Sequence, residues 1–180
     1  MSAVRLFPIP VAVVSRCLGF AACRYDGGQE PFSWTDRWRG YVRFQAVCPE
    51  VEMGLGVPRP PIRLVGSGET LRLMQPETGH DWTDRMTAFT RAWLDDLDQA
   101  DGFIFKEKSP SCGLRTTKRF QGVTDAEPIG LGSGLFAEAA VARHFLKPAA
   151  EAGDLEGALD RERFLVRLFA SAAVGQARRA

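Results

Sequence analysis

Four cysteines, Cys17, Cys23, Cys48 and Cys112, carry the chemistry that this sequence suggests first. None of them belongs to a CxxC pair, and no histidine lies near Cys112 in the segment KEKSPSCGLRTTK. Structural zinc sites normally show such close pairs. Widely spaced thiolates suit an iron–sulfur cluster better, because soft iron prefers sulfur ligands. The alternative is that each cysteine is an inert thiol that fills the core.

Three of the cysteines come just after predicted strands. Cys17 follows the apolar run Val11 to Ser15, Cys48 follows the strand Tyr41 to Val47, and Cys112 lies in the loop after the strand Gly102 to Lys106. The carboxyl ends of parallel strands converge on the ligand crevice of an open sheet. We therefore expect these thiols to meet, and Cys23 in the first loop is able to reach the same place.

The elements between the cysteines indicate an α/β protein. Apolar residues recur at helical spacing from Trp82 to Leu97, and a second helix follows Ser133, which is a plausible N-cap. The segment GLGVPRPPIRLV predicts an ordered loop or edge structure. Strands that alternate with helices predict a three-layer, Rossmann-like domain with a mainly parallel sheet.

The tail from about Lys147 differs from the rest of the chain. We expect an α/β domain over residues 1–147, followed by a linker and a C-terminal helical extension over residues 148–180. Phe164, Leu165, Leu168 and Phe169 form the apolar stripe of that helix. It packs either on the domain or toward a partner, and the polar residues Gln176 to Ala180 are expected to fray.

The composition sets limits on location and partners. The chain has 180 residues, 45% hydrophobic and 25% charged, with a formal net charge of +1. No stretch approaches the roughly 20 apolar residues of a membrane span. Pro8 and Pro10 interrupt the N-terminal apolar run, which favours a buried strand over a signal peptide. We expect a cytoplasmic protein with reduced thiols and no membrane partner, while the oligomeric state is left open.

Several motifs resemble those of the thiouracil desulfidase family. They are CLGFAACRYDG, VCPEVEMGLGVPRPP, GHDWT and FKEKSPSCG, in order along residues 11–145. The resemblance implies a [4Fe–4S] cluster held by only three cysteines, at positions matching Cys17, Cys48 and Cys112. Cys23 also matches a cysteine of the family and is taken as the spare thiol, although it remains open whether it replaces Cys17. Arg16 and Phe20 depart from the family pattern.

The resemblance also implies an activity. Such an enzyme removes sulfur from 2- or 4-thiouracil, or from 4-thiouridine, by non-redox hydrolysis at the open iron, and releases uracil or uridine and hydrogen sulfide. The tail segment LEGALDRERFLVRLFA resembles the connector of two-domain relatives that act on thiolated uridine in transfer RNA. A small thiolated pyrimidine and thiolated transfer RNA are thus the expected partners. The alternative is an iron–sulfur sensor or a binding module for thiolated nucleobases or RNA, without turnover.

Four residues beside the expected ligands are candidates for catalysis. Glu50, two residues after Cys48, would activate a water molecule, unless it is a structural carboxylate paired with Arg59 or Lys106. Lys106 would supply positive charge near the anionic cluster. Ser109 and Ser111 would hold the substrate or the water, although serines beside a loop proline often only form turns.

Overall fold

The computed structural model describes residues 7–125 and 127–179. Its strands and helices, numbered in chain order, are β1 (Val11–Ser15), α1 (Ser33–Trp38), β2 (Arg43–Val47), α2 (Pro49–Glu52), β3 (Arg63–Val65), β4 (Arg72–Gln75), β5 (His80–Asp81), α3 (Thr83–Asp95), β6 (Gly102–Phe105), β7 (Thr117–Phe120), β8 (Pro128–Gly132), α4 (Leu135–Arg143), β9 (Ala149–Glu151) and α5 (Ala158–Arg179). Two short 3-10 turns lie at Gly68–Thr70 and Ala152–Glu156.

A four-stranded parallel sheet, in the order β2-β1-β6-β9, forms the centre of the fold. Every residue of β1 and β6 is buried, as is typical of parallel strands that are covered on both faces. Val13 and Phe103 pack into a core with α3 and α4, whereas Ala12 and Ile104 pack with α1 and α5. The predicted three-layer α/β domain is confirmed.

A second sheet, in the order β5-β4-β3-β7-β8, is a feature that the sequence did not predict. Strands β3 and β7 run parallel, and the other neighbours are antiparallel. Leu64 and Leu73 from its central strands are fully buried in the core shared with α3. The strands of this sheet are only two to five residues long, which is too short for a clear alternating pattern.

The predicted strand ends are correct to within two residues. Strand β2 begins at Arg43 because the N–H of Tyr41 donates to the carbonyl of Trp38 at 2.9 Å and closes a turn. Strand β6 ends before Lys106, whose N–H donates to Oγ of Ser15 at 3.0 Å. The start of the N-terminal run, residues 1–6, lies outside the described residues.

The predicted helices are present, with one wrong cap. The helix expected over Trp82 to Leu97 is α3, Thr83–Asp95. The prediction of Ser133 as the N-cap of α4 is wrong, because Gly134 occupies that position. The Ser133 hydroxyl instead donates to the carbonyl of Leu114 at 2.5 Å.

The tail packs on the domain. Strand β9 pairs with β6 as the fourth strand of the parallel sheet, and α5 buries Phe164, Leu168 and Ala172. The expectation that Gln176 to Ala180 fray is wrong for residues 176–179, since α5 continues to Arg179 and its last-turn arginines complement the helix dipole, while Ala180 lies outside the described residues. In the part of the chain that is described, none of the helices combines the length and apolar character that a bilayer crossing demands.

Candidate functional site

A cavity of about 480 Å³ opens at the carboxyl edge of the parallel sheet. Ser15 ends β1, Val47 ends β2 and Lys106 follows β6, and all three line the cavity. Open α/β sheets bind their ligands at this edge. The polar and ionisable side chains around the cavity include Cys17, Cys23, Glu30, Cys48, Glu50, Arg59, Lys106, Glu107, Ser109 and Cys112.

All four cysteines line this one cavity. Cys17 and Cys23 lie in the loop between β1 and α1, Cys48 is the N-cap of α2, and Cys112 lies in the loop between β6 and β7. Cys23 and Cys112 are buried, and the other two are half-buried. The thiols after β1, β2 and β6 therefore surround the same space, as expected from strands that run parallel.

Contacts among the thiols and their burial favour the protonated forms. Hydrogen bonding with Cys17 is the largest cause that raises the pKa of Cys23 to about 11. Hydrogen bonding with Cys23, together with burial, raises the pKa of Cys48. Burial raises the pKa of Cys112. A metal centre bound by these side chains must displace their protons, because the thiolate is the ligand.

The thiols contact one another in pairs, but the side chains around the cavity are not arranged as the ligands of a single ion. Within residues 7–125 and 127–179, no three His, Cys, Asp or Glu side chains form a group that could hold a single metal ion. A polynuclear centre differs from a single ion, because its thiolate ligands bind separate metal atoms. The four soft sulfur donors around the cavity suit iron or another thiophilic metal and do not suit Mg²⁺ or Ca²⁺.

Glu50, in α2, lies at the centre of a buried polar network. Its Oε2 accepts hydrogen bonds from Nε and Nη2 of Arg59 at 2.9 and 2.7 Å. Its Oε1 accepts a hydrogen bond from the Ser111 hydroxyl at 2.9 Å. Glu50 is 8% exposed, and Ser111 is fully buried behind it, outside the cavity wall. The network holds the carboxylate at the cavity in a fixed orientation.

The other two predicted catalytic residues line the cavity with different partners. Oγ of Ser109 accepts the backbone N–H of Cys112 at 3.0 Å, which is the contact of a turn-forming serine. Nζ of Lys106 donates to Glu107 at 2.5 Å and lies 3.7 Å from Glu30. Burial opposes the ionisation of Glu107, but the hydrogen bond and charge of Lys106, together with backbone hydrogen bonds, hold the pKa of that carboxyl below its usual range.

The loop that carries Cys112 is held against the start of α4. The carbonyl of Ser111 accepts the N–H groups of Phe136 and Ala137, each at 3.1 Å. A Cβ on Gly134 would lie 2.5 Å from the carbonyl carbon of Ser111. Gly134 therefore permits a close approach that any side chain would prevent, and this approach fixes the position of the cysteine loop.

Two supporting residues were missed from the sequence. Oγ of Ser15 accepts the N–H of Lys106 at 3.0 Å, and Oε1 of Glu151 accepts the N–H of Leu114 at 2.8 Å. Ser15 and Glu151 are buried at the ends of β1 and β9. The available signal was a polar side chain closing an apolar strand, since a buried polar group needs a partner. Arg59 was considered only as an alternative partner of Glu50.

Comparison with known proteins places the chain among desulfurases. Residues 12–152 match the 2-thiouracil desulfurase family. The uncharacterized protein YbbK of Bacillus subtilis (strain 168) is 32% identical over 110 residues, which cover 56% of this chain and 72% of that protein. Among solved structures, the [4Fe-4S]-dependent thiouracil desulfidase TudS matches with a TM-score of 0.64 and 28% identity, over 82% of this chain and 93% of that chain. The family match contains every side chain described around the cavity.

Proposed function

The chain belongs to the 2-thiouracil desulfurase family, and on that premise we propose that it is an iron–sulfur-dependent desulfidase of thiolated uracil. The reaction exchanges the thiocarbonyl sulfur for a water oxygen and yields uracil, or uridine, and hydrogen sulfide. Carbon keeps its oxidation state in this exchange, so no oxidant or reductant is required. The observation that carries the proposal is the cavity lined by four cysteines and Glu50.

The residues of the cavity fit a [4Fe–4S] cluster. The donor set consists of thiols from three separate loops, and the cavity of about 480 Å³ is large for a single ion. The structural neighbour TudS is named as [4Fe-4S]-dependent. Cys17, Cys48 and Cys112 would hold the cluster, and Cys23 would form part of the wall. When bound, such a cluster supplies one iron without a protein ligand, a soft Lewis acid that polarises a thiocarbonyl sulfur.

Glu50 is the proposed proton acceptor for the attacking water. A general base must lie at the reacting atoms and must be held there, and Glu50 lines the cavity from a buried position. Ser111 donates to one carboxylate oxygen, and Arg59 donates to the other. Oε2 accepts both hydrogen bonds from Arg59, whereas Oε1 accepts only the one from Ser111 and keeps a second lone pair. Through Oε1, Glu50 can therefore also accept a hydrogen bond from water in the cavity.

The proposed roles of Lys106 and Ser109 are electrostatic and positional. Lys106 places a cation at the cavity, where Glu107 and Glu30 orient it. Its charge offsets part of the negative charge that thiolates and sulfide bring to the site. Ser109 holds the backbone of Cys112 through its oxygen and retains its O–H to donate toward the cavity.

A direct test is sulfide release by anaerobically reconstituted protein. We expect turnover with 2-thiouracil or 4-thiouracil, 4-thiouridine or thiolated transfer RNA, with one sulfide released for each thiocarbonyl lost. The rival function, a sensor or binding module for thiolated nucleobases, predicts a spectral or binding change without product. Absence of sulfide from all of these substrates, with about four irons bound per chain, would exclude the desulfidase.

A further inference from the structure

Arg59 joins three segments of the cavity wall. Its side chain is buried, with 9% of the residue exposed. Nε and Nη2 donate to Glu50, while Nη1 donates to the carbonyls of Cys23 and Gly56, each at 3.1 Å. The backbone N–H of Arg59 donates to the carbonyl of Tyr25 at 2.8 Å. Four of its five side-chain N–H groups are thus used, and they bind the loop after β1, the helix after β2 and the segment before β3.

We infer that Arg59 is a positioning residue that orients Glu50 for proton transfer and ties it to the loop that carries Cys23. This inference rests on the proposed function, because it concerns the base of that reaction. Arg59 acts through Glu50 and through the backbone of Cys23, not on the substrate. The contact geometry explains why a buried carboxylate keeps one orientation beside the thiols.

The physical reason is the planar fork of the guanidinium. Two buried charges compensate each other, and removal of one leaves the other buried without its partner. The edge of the Arg59 guanidinium that carries Nε and Nη2 binds the carboxylate of Glu50, and Nη1 binds the carbonyls of Cys23 and Gly56. Lysine would keep the charge, but its single ammonium cannot bind Glu50 and the carbonyl of Cys23 in the same fixed geometry.

The role of Arg59 is tested by measuring kcat and KM of four variants. Each variant is compared with the wild type only if it binds the same amount of cluster. We expect Arg59→Lys to lower kcat by about 10-fold or more with KM within about 2-fold, because misplacement of a base affects the chemical step. Arg59→Gln should lower kcat by about 100-fold or more. Glu50→Gln combined with Arg59→Gln should be no more than about 3-fold slower than Glu50→Gln alone, since both act as one unit.

Arg63→Gln is the matched control. Arg63 begins β3, four residues after Arg59, and stacks over the ring of Phe120 at 4.1 Å, outside the cavity lining. We expect wild-type kcat for this variant. A wild-type kcat in Arg59→Gln, or a double variant whose loss equals the product of the two single losses, would overturn the inference.

A second measurement separates this inference from the proposed function. In protein without cluster, the rate of alkylation of Cys23 should rise about 5-fold or more in Arg59→Gln, since local opening of its loop becomes easier, while alkylation of buried Cys112 keeps its rate. Peptide mass spectrometry assigns each site, and Arg59→Lys replaces Arg59→Gln if the latter does not fold. Unchanged alkylation of Cys23 would refute the positioning role. Wild-type protein that releases no sulfide would instead refute the proposed function, whatever the alkylation rates.

Discussion

The two sheets of this protein contribute to the cavity in different ways. The parallel sheet supplies the ends of β1 and β2, and the loops after β1, β2 and β6 carry the four cysteines. None of the described strand residues of the second sheet lines the cavity. Yet the same loops that leave the first sheet continue into the second, since Arg59 lies shortly before β3 and Cys112 shortly before β7.

The difference shows that one sheet presents the reactive groups and the other fixes the far ends of their loops. Strands β3 and β7 are parallel neighbours, so their amino ends lie side by side. The segment of Arg59 and the segment of Ser111 enter these two strands, and both side chains bind the carboxylate of Glu50 between them. A carboxylate held from both sides in this way requires the second sheet as well as the first.

The largest expected effect comes from the cysteines that follow the strands of the first sheet. Cys17→Ala, Cys48→Ala and Cys112→Ala should each abolish the absorbance at about 400 nm that an iron–sulfur cluster would give. Cys23→Ala, which removes a thiol from the same cavity, is the matched control and should keep it. Full iron content in the Cys112 variant, or its loss in the Cys23 variant, would contradict this assignment of ligands.

Glu50, held between the two sheets, should show the next largest effect. Glu50→Gln keeps the size of the side chain but removes the proton acceptor, so turnover should fall by about 10²–10⁴-fold. The cluster absorbance should persist, because Glu50 is not one of the proposed ligands. Sulfide release from thiouracil measures the change, and near-normal turnover would remove Glu50 from the mechanism.

Two glycines differ in the space around them: Gly134 packs closely against the cysteine loop, whereas Gly130 in the second sheet has open space beside it. A Cβ on Gly134 would lie 2.7 Å from the carbonyl oxygen of Pro110, whereas a Cβ on Gly130 in β8 would meet nothing within 4 Å. We expect Gly134→Ala to lower the free energy of unfolding by about 1–3 kcal/mol and to displace Ser111 and Cys112. Gly130→Ala should change it by less than about 0.5 kcal/mol. Equal unfolding midpoints in urea for the two variants would show that the cysteine loop adapts freely.

The smallest expected effect is the pH dependence that His144, packed beside the first sheet, gives to the free energy of unfolding. His144 is half-buried, its ring centroid lies 5.4 Å from that of Phe103 in β6, and its Nε2 has no hydrogen-bond partner among the described residues. Burial, then the charges of Arg143 and Lys147, lower the pKa of His144 below its ordinary 6.5.

The unfolded chain therefore binds the proton of His144 more readily than the folded protein does. The stability that neutral His144 contributes is present above pH 6.5 and is lost as the pH falls through the lowered folded pKa. We expect urea unfolding at pH 7.5 and 5.5 to show a smaller pH dependence in His144→Phe than in the wild type. His80→Asn, at an exposed histidine in β5 of the second sheet, is the matched substitution. An unchanged pH dependence in His144→Phe would contradict the argument.

The sequence by itself determined three strands of the parallel sheet, β1, β2 and β6, and the placement of the cysteines after them, whereas the fourth strand, β9, lies where a linker was expected. Continuous apolar runs such as Val11 to Ser15 are local signals, and a parallel sheet places the residues after its strands at one edge. The sequence alone therefore assigns Cys17, Cys48 and Cys112 to one site. The four motifs likewise identified the family, which the match over residues 12–152 confirms.

Only the tertiary structure decided how that site is held. The second sheet consists of strands too short for a recognisable period, and the contacts of Arg59 with Glu50 and Cys23 join residues that no local pattern relates. The wrong cap at Ser133 has the same origin, since Gly134 is required by the approach of a distant loop. Short stretches of sequence determine which segments form buried strands. The partner of a buried charge depends instead on which distant segments pack together.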